Sequence, residues 1–108
     1  MEWSSYKTGS ALIGAGQGRV DEASWQSFHD GLSAAIAEAA ALDLPLVIDL
    51  DGIDYMSSRG LRVLTLVKRA AEAGNVGLTL ARPNARMREI LAISRYDRIF
   101  TVTAGLEG

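Results

Sequence analysis

Apolar residues recur along this chain at helical spacing in three places. Trp25, Phe28, Leu32, Ile36 and Ala39 stand three or four residues apart, with Gln26, His29, Asp30, Ser33 and Ala37 falling between them. Side chains at that spacing share one face, so the pattern predicts an amphipathic helix over about 23–41, with Asp21 or Ser24 as its cap. A second helix is predicted over about 59–73. Leu61, Leu64, Val67 and Ala71 form its apolar stripe, Arg62, Thr65, Arg69 and Glu72 lie opposite, and Gly74-Asn75 stops it. Pro83-Asn84 opens a third helix, reaching about residue 94 and burying Met87, Ile90 and Leu91.

Short apolar runs separate these helices. Leu46-Val47-Ile48-Asp49-Leu50 follows the break at Leu44-Pro45 and reads as a strand covered on both faces. Residues 76–80 and 99–102 read as two more strands. Ala11-Leu12-Ile13 reads as a weak strand ending in a turn at Gly14-Ala15-Gly16-Gln17-Gly18, and Trp3 and Tyr6 suggest an edge strand. Strands alternating with helices predict an α/β domain. Its sheet is mixed but mostly parallel, with four to five strands, right-handed crossovers and helices packed on it.

Composition narrows the picture. The chain has 108 residues, enough for one domain, and 48% of them are hydrophobic. A formal net charge of −2 gives no electrostatic footprint for nucleic acid or an anionic membrane. With no cysteine there is no disulfide or thiol chemistry. The first residues lack the basic start and apolar run of a secretory signal, and charged residues interrupt every apolar stretch below membrane-spanning length. The expectation is a cytoplasmic protein with no direct membrane insertion.

Candidate chemistry is sparse. Asp49, Asp51 and Asp54 resemble a cation cluster, but their spacing fits no calcium loop, and Asp51-Gly52 reads as a turn. His29 is the sole histidine, lies off the apolar stripe, and has no G-x-S-x-G elbow to serve. The glycines at 14, 16 and 18 match neither G-x-G-x-x-G nor a P-loop. Arg82, Arg86 and Arg88 form a small basic group near the third helix start. No catalytic residue, metal site or cofactor is expected.

The informative stretch is 46–66, LVIDLDGIDYMSSRGLRVLTL. The strand Val47-Ile48-Asp49-Leu50 is followed by Asp51-Gly52-Ile53-Asp54, then Tyr55-Met56, Ser57-Ser58, and Gly60-Leu61 at the helix start. This order resembles the STAS family, and within it the bacterial anti-sigma-factor antagonists. Gly16-Gln17-Gly18-Arg19-Val20-Asp21, Arg82-Pro83-Asn84-Ala85-Arg86-Met87 and Arg95-Tyr96-Asp97-Arg98-Ile99-Phe100 extend the likeness to nearly the whole chain. The resemblance implies a single STAS domain over 1–108, with a last helix that is short or missing at Leu106-Glu107-Gly108.

It also implies a function. Such proteins bind an anti-sigma factor that is also a serine kinase of the histidine-kinase-like ATPase type. That kinase releases the antagonist by phosphorylating a serine at the start of the second helix, and a PP2C-type phosphatase resets it. By position the serine is Ser58, with Ser57 the second candidate, because Ser57 stands where many relatives carry Asp. Arg59 stands where many carry Ser or Ala. The implied partner surface comprises Asp21, Asp54, Met56, Ser57, Arg59, Gly60 and Arg62. Simple N-capping is the bland role for the two serines. A helix start tolerates phosphate, because its free N–H groups and dipole favour an anion. One alternative keeps the fold but makes the chain a docking subunit of a lipid or anion transporter, without a phosphate cycle. Another is a small enzyme or nucleotide binder using the Asp residues and glycines, which saturable binding of a nucleotide or divalent ion would reveal.

Overall fold

The computed structural model describes residues 1–106. Its elements run β1 (Glu2–Lys7), β2 (Leu12–Val20), α1 (Trp25–Leu42), β3 (Leu46–Asp49), β4 (Ile53–Met56), α2 (Ser58–Ala73), β5 (Leu78–Ala81), α3 (Ala85–Ile93), a 3₁₀ turn (Tyr96–Arg98) and β6 (Thr101–Thr103). The sheet has six strands in the order β1-β2-β3-β5-β6, with β4 beside the far half of β2. Only β1, the exposed edge, pairs antiparallel; every other pairing is parallel. The expected α/β architecture is present, and the strand beyond the expected number is β4.

Two corrections concern β2 and β4. The glycines at 14, 16 and 18 do not end a strand, because β2 runs through them for nine residues. Its first half pairs with β3, and its second half pairs with β4 after a register irregularity between Gly18 and Arg19. Gly18 adopts φ 109°, a backbone state that glycine reaches at little cost. The Asp51-Gly52 turn steps the chain from β3 across to this second half, where Ile53 and Met56 become buried.

Trp3 explains the first two glycines. Its indole lies over β2 and α1, so a β-carbon at Gly14 would sit 2.8 Å from it and one at Gly31 2.6 Å. Trp3 also meets Phe28 edge to face, with ring centroids 6.3 Å apart. The main core gathers Leu12, Leu46, Ile48 and Leu80 of the sheet against Phe28, Leu32, Val63, Leu64 and Val67 of α1 and α2, with Met87 and Leu91 of α3. On the opposite face, Ala11, Ile13, Val47 and Ala81 form a small second cluster that Leu106 partly covers. Glu107 and Gly108, where a stunted last helix was expected, lie outside the described residues.

The three helices begin and end close to the expected positions. Ser24 stands at the N-cap position of α1 as one of the two expected caps, and the Ser24 and Asp21 carbonyls accept from the Phe28 and Trp25 N–H groups, but neither side chain bonds an N–H of the helix. Ser24 instead donates to the Arg19 carbonyl, and Asp21 accepts from the Ala23 N–H at 3.1 Å, which folds the β2–α1 loop back on itself.

Candidate partner-binding surface

β2 and β4 run parallel and end side by side, Val20 opposite Met56. The Ser57 N–H donates to the Val20 carbonyl at 2.8 Å. The loops entering α1 and α2 therefore leave the sheet together, at the strand carboxyl ends where open α/β sheets form their sites. The start of α3 joins them through Asn84, whose carboxamide donates to the Ile53 carbonyl at 3.1 Å. The starts of α1 and α2 thus share one surface, and the start of α3 borders it through β4.

The two serines differ in role. Ser57 is the N-cap of α2, extended at φ −78° and ψ 175°, and its hydroxyl accepts from the Gly60 N–H at 3.5 Å. Ser58 is the first helical residue and is exposed. Its hydroxyl makes no hydrogen bond among the described residues. α2 carries no acidic residue in its first turn, so the positive end of its dipole is uncompensated there.

Arginines frame this loop. Arg59 Nη2 lies 3.1 Å from Glu22 Oε1, and its guanidinium sits 4.9 Å from the Trp25 ring centroid. This ties the start of α2 to the start of α1. Arg19 and Arg86 place guanidinium carbons 4.6 Å and 5.4 Å from the Tyr55 ring centroid, joining β2, β4 and α3. Arg19 also faces Asp21, at 3.7 Å. Arg62 lies one turn along α2 from Ser58, exposed and in no ion pair among the described residues. Glu22 was not singled out in the sequence, Trp25 was read only as part of a helix stripe, Arg86 only as one of a basic group, and Arg19 and Tyr55 only as parts of longer motifs. Arg59 and Glu22 are 37 residues apart, so only the pairing of β2 with β4 reveals their contact.

Of the residues expected to form a partner surface, Asp21, Asp54, Ser57, Arg59 and Arg62 lie at or near the surface around this loop. Met56 and Gly60 do not. Met56 is 2% exposed, a core residue beneath α2. Gly60 is buried against it, and a β-carbon there would meet Met56 Cγ and come within 2.7 Å of Val20 Cγ1. Gly60 is glycine so that the helix start can approach the two strands closely.

The acidic residues are divided. Asp49, 7% exposed, receives the Arg82 guanidinium as a fork, Nε to Oδ1 at 3.1 Å and Nη2 to Oδ2 at 2.6 Å. The Asp51 N–H also bonds Asp49 Oδ1, at 3.1 Å. These hydrogen bonds and the carboxylate charge raise the Arg82 pKa above its usual value. Arg82 is held in a left-handed backbone state, φ 55°, which aims it back at β3. The basic group expected at 82, 86 and 88 is thereby dispersed: Arg82 serves Asp49, Arg86 serves Tyr55, and Arg88 donates to the Pro83 carbonyl at 3.2 Å.

Comparison with known proteins decides the family. The family model described as "Mlab, STAS domain" matches residues 16–103. The chain belongs to the STAS family. It is 32% identical over 87 residues to a STAS-domain containing protein of Pseudomonas aeruginosa, covering 81% of this chain and 82% of that one. It is 31% identical over 107 residues to BtrV of Bordetella bronchiseptica, named as an anti-sigma factor antagonist, covering 99% of this chain and 90% of the relative. The fold also matches the Bacillus anti-sigma factor antagonist SpoIIAA in its unphosphorylated form. There the TM-score is 0.74 at 17% identity, over 98% of this chain and 90% of that one. Within this STAS domain the match runs from the second half of β2 through β6, including all three helix starts described above.

Proposed function

We propose that this STAS protein is an anti-sigma-factor antagonist. It binds an anti-sigma factor that is also a serine kinase, through the surface made by the Ser57-Ser58 loop, the β2–α1 loop and the exposed face of α2. Phosphorylation of Ser58 by that kinase ends the binding, and a PP2C-type phosphatase restores it. The observation that carries the assignment is the division between the serines: Ser57 uses its hydroxyl on the helix cap, whereas Ser58 is exposed and unbonded at the first helical position. The likeness to BtrV, over almost the full chain, supports the partner class. A phosphate on Ser58 adds a charge of about −1.5 to −2 to this surface and imposes a desolvation cost on any partner packed there.

The test incubates the purified protein and its Ser57→Ala and Ser58→Ala variants with ATP and each kinase-type anti-sigma factor of its source. Phosphate lost only in Ser58→Ala is the expected result. Phosphate on Ser57 would keep the mechanism and move the residue. A folded protein that takes no phosphate, and is captured instead by an ATPase subunit of a transporter, would replace the reading with transporter docking.

A further inference from the structure

Three features of α2 bear on what a phosphate at Ser58 would do. First, Ser58 and Arg62 are separated by one turn, so their side chains are neighbours on the exposed face of the helix. The acidic partner would stand N-terminal to the basic one, which is the favourable order for an i,i+4 ion pair. Second, Arg62 is uncommitted, making neither an ion pair nor a hydrogen bond among the described residues. Third, Arg59, the nearer arginine in sequence, is already engaged by Glu22 at 3.1 Å and stacked on Trp25.

We propose that phosphorylation of Ser58 draws Arg62 onto the phosphate across one helical turn and leaves Arg59 on Glu22 and Trp25. This inference rests on the phosphorylation reading above and names how the modification acts. The phosphate then alters the partner surface twice, by adding negative charge at Ser58 and by withdrawing a free guanidinium at Arg62. The cation that binds the phosphate is the one that binds the partner in the unmodified protein. The partner group facing Arg62 is accordingly an acceptor, a carboxylate or a carbonyl, because an arginine has only donors to offer. The other charged groups about the α2 start are Asp21 and Glu22 on the β2–α1 loop, Asp54 on β4, Arg19 at the end of β2 and Arg86 on α3. The three carboxylates repel the phosphate, and Arg19 and Arg86 are held over the Tyr55 ring, so the two arginines of α2 are the candidate cations.

The test needs no kinase. Phosphoserine is installed at position 58 during synthesis of the full chain, and the phosphate is titrated by phosphorus NMR. The same titration is run on the Arg62→Gln and Arg59→Gln forms, with proton–nitrogen spectra confirming the fold of each. Arg62→Gln is expected to raise the second phosphate pKa by about half a pH unit, the scale of a charge-assisted i,i+4 pair on a helix, with Arg59→Gln moving it less. If Arg59→Gln raises it as much or more, or if neither substitution raises it, the inference is overturned. Whether a kinase modifies Ser58 in the first place is read separately by the mass spectrometry above, so either idea can fail without the other.

Discussion

Two helix starts in this protein are capped by short polar side chains, with unequal strength. Asn84 Oδ1 accepts from the Met87 N–H at 2.8 Å, and its amide donates to the Ile53 carbonyl at 3.1 Å. Ser57 offers one long contact, 3.5 Å, to Gly60. Asn84→Ala is therefore expected to cost about 1.5–2 kcal/mol, since it removes a good cap and takes the side-chain donor away from the carbonyl of buried Ile53. Ser57→Ala should cost about 0.5 kcal/mol, the low end for a cap. Urea denaturation of both variants checks the ranking, and equal costs would mean that the long Ser57 contact closes up in solution. Gly60→Ala belongs to a different class. Its new methyl group has no room between Met56 and Val20, so a loss of about 1–3 kcal/mol is expected from overpacking. A neutral result in the same denaturation assay would show that α2 can lift from β2 and β4 at little cost.

At the scale of elements, β1 pairs with β2 along its whole length, and Trp3 is the side chain of that strand that packs against the main core. Trp3 lies over Gly14 and Gly16 of β2 and Gly31 of α1, while the rest of β1 is exposed. In an isolated helix, replacing glycine with alanine gains about 0.8–1 kcal/mol. Here Gly31→Ala would drive a methyl group into the indole at 2.6 Å, so the substitution is expected to destabilise the protein. In a Trp3→Ala background the obstacle is gone, and the same substitution should stabilise it. A double-mutant cycle by thermal unfolding checks that reversal of sign. The same contact explains why sequence pattern misread this region. Gly14, Gly16 and Gly18 looked like turn punctuation, because the residue that requires the first two lies on another strand. Likewise β4 was hidden. Ile53-Asp54-Tyr55-Met56 shows no clean alternation, and it becomes a strand only because the irregularity at Gly18 and Arg19 gives β2 a second partner. By contrast, the three helices were legible from local information. Their stripes match what is buried, apart from Trp25, Leu61 and Ile90, which are only half-buried. The Ser57-Ser58 loop was legible by its order between strand and helix. Met56 and Gly60, which the resemblance placed on the partner surface, are buried, because a motif's order does not say which of its residues face the sheet.

For the molecule as a whole, a negative charge at Ser58 should act on stability and on binding with opposite signs. Ser58 is exposed, and α2 has no acidic residue in its first turn. Replacing Ser58 by Asp puts a carboxylate at the positive end of the helix dipole, which is worth about 0.3–1 kcal/mol of added stability. The same carboxylate stands on the surface proposed to meet the anti-sigma factor, one turn from Arg62, where an approaching partner would have to desolvate it or match it. Ser58→Asp is therefore expected to unfold at a slightly higher temperature than the unmodified chain and to bind its partner at least tenfold more weakly. Ser58→Ala should leave the unfolding temperature nearly unchanged and keep most of the affinity. Thermal unfolding and titration calorimetry on the same preparations read both quantities. The pairing of signs matters because weakened binding alone has two explanations. If Ser58→Asp binds weakly and also unfolds earlier, the lost affinity comes from damage to the α2 start, and Ser58 is a structural residue. If it binds weakly while folding more stably, the domain is a rigid carrier for a charge switch, and the information passes through the surface with the sheet and its core left as they were.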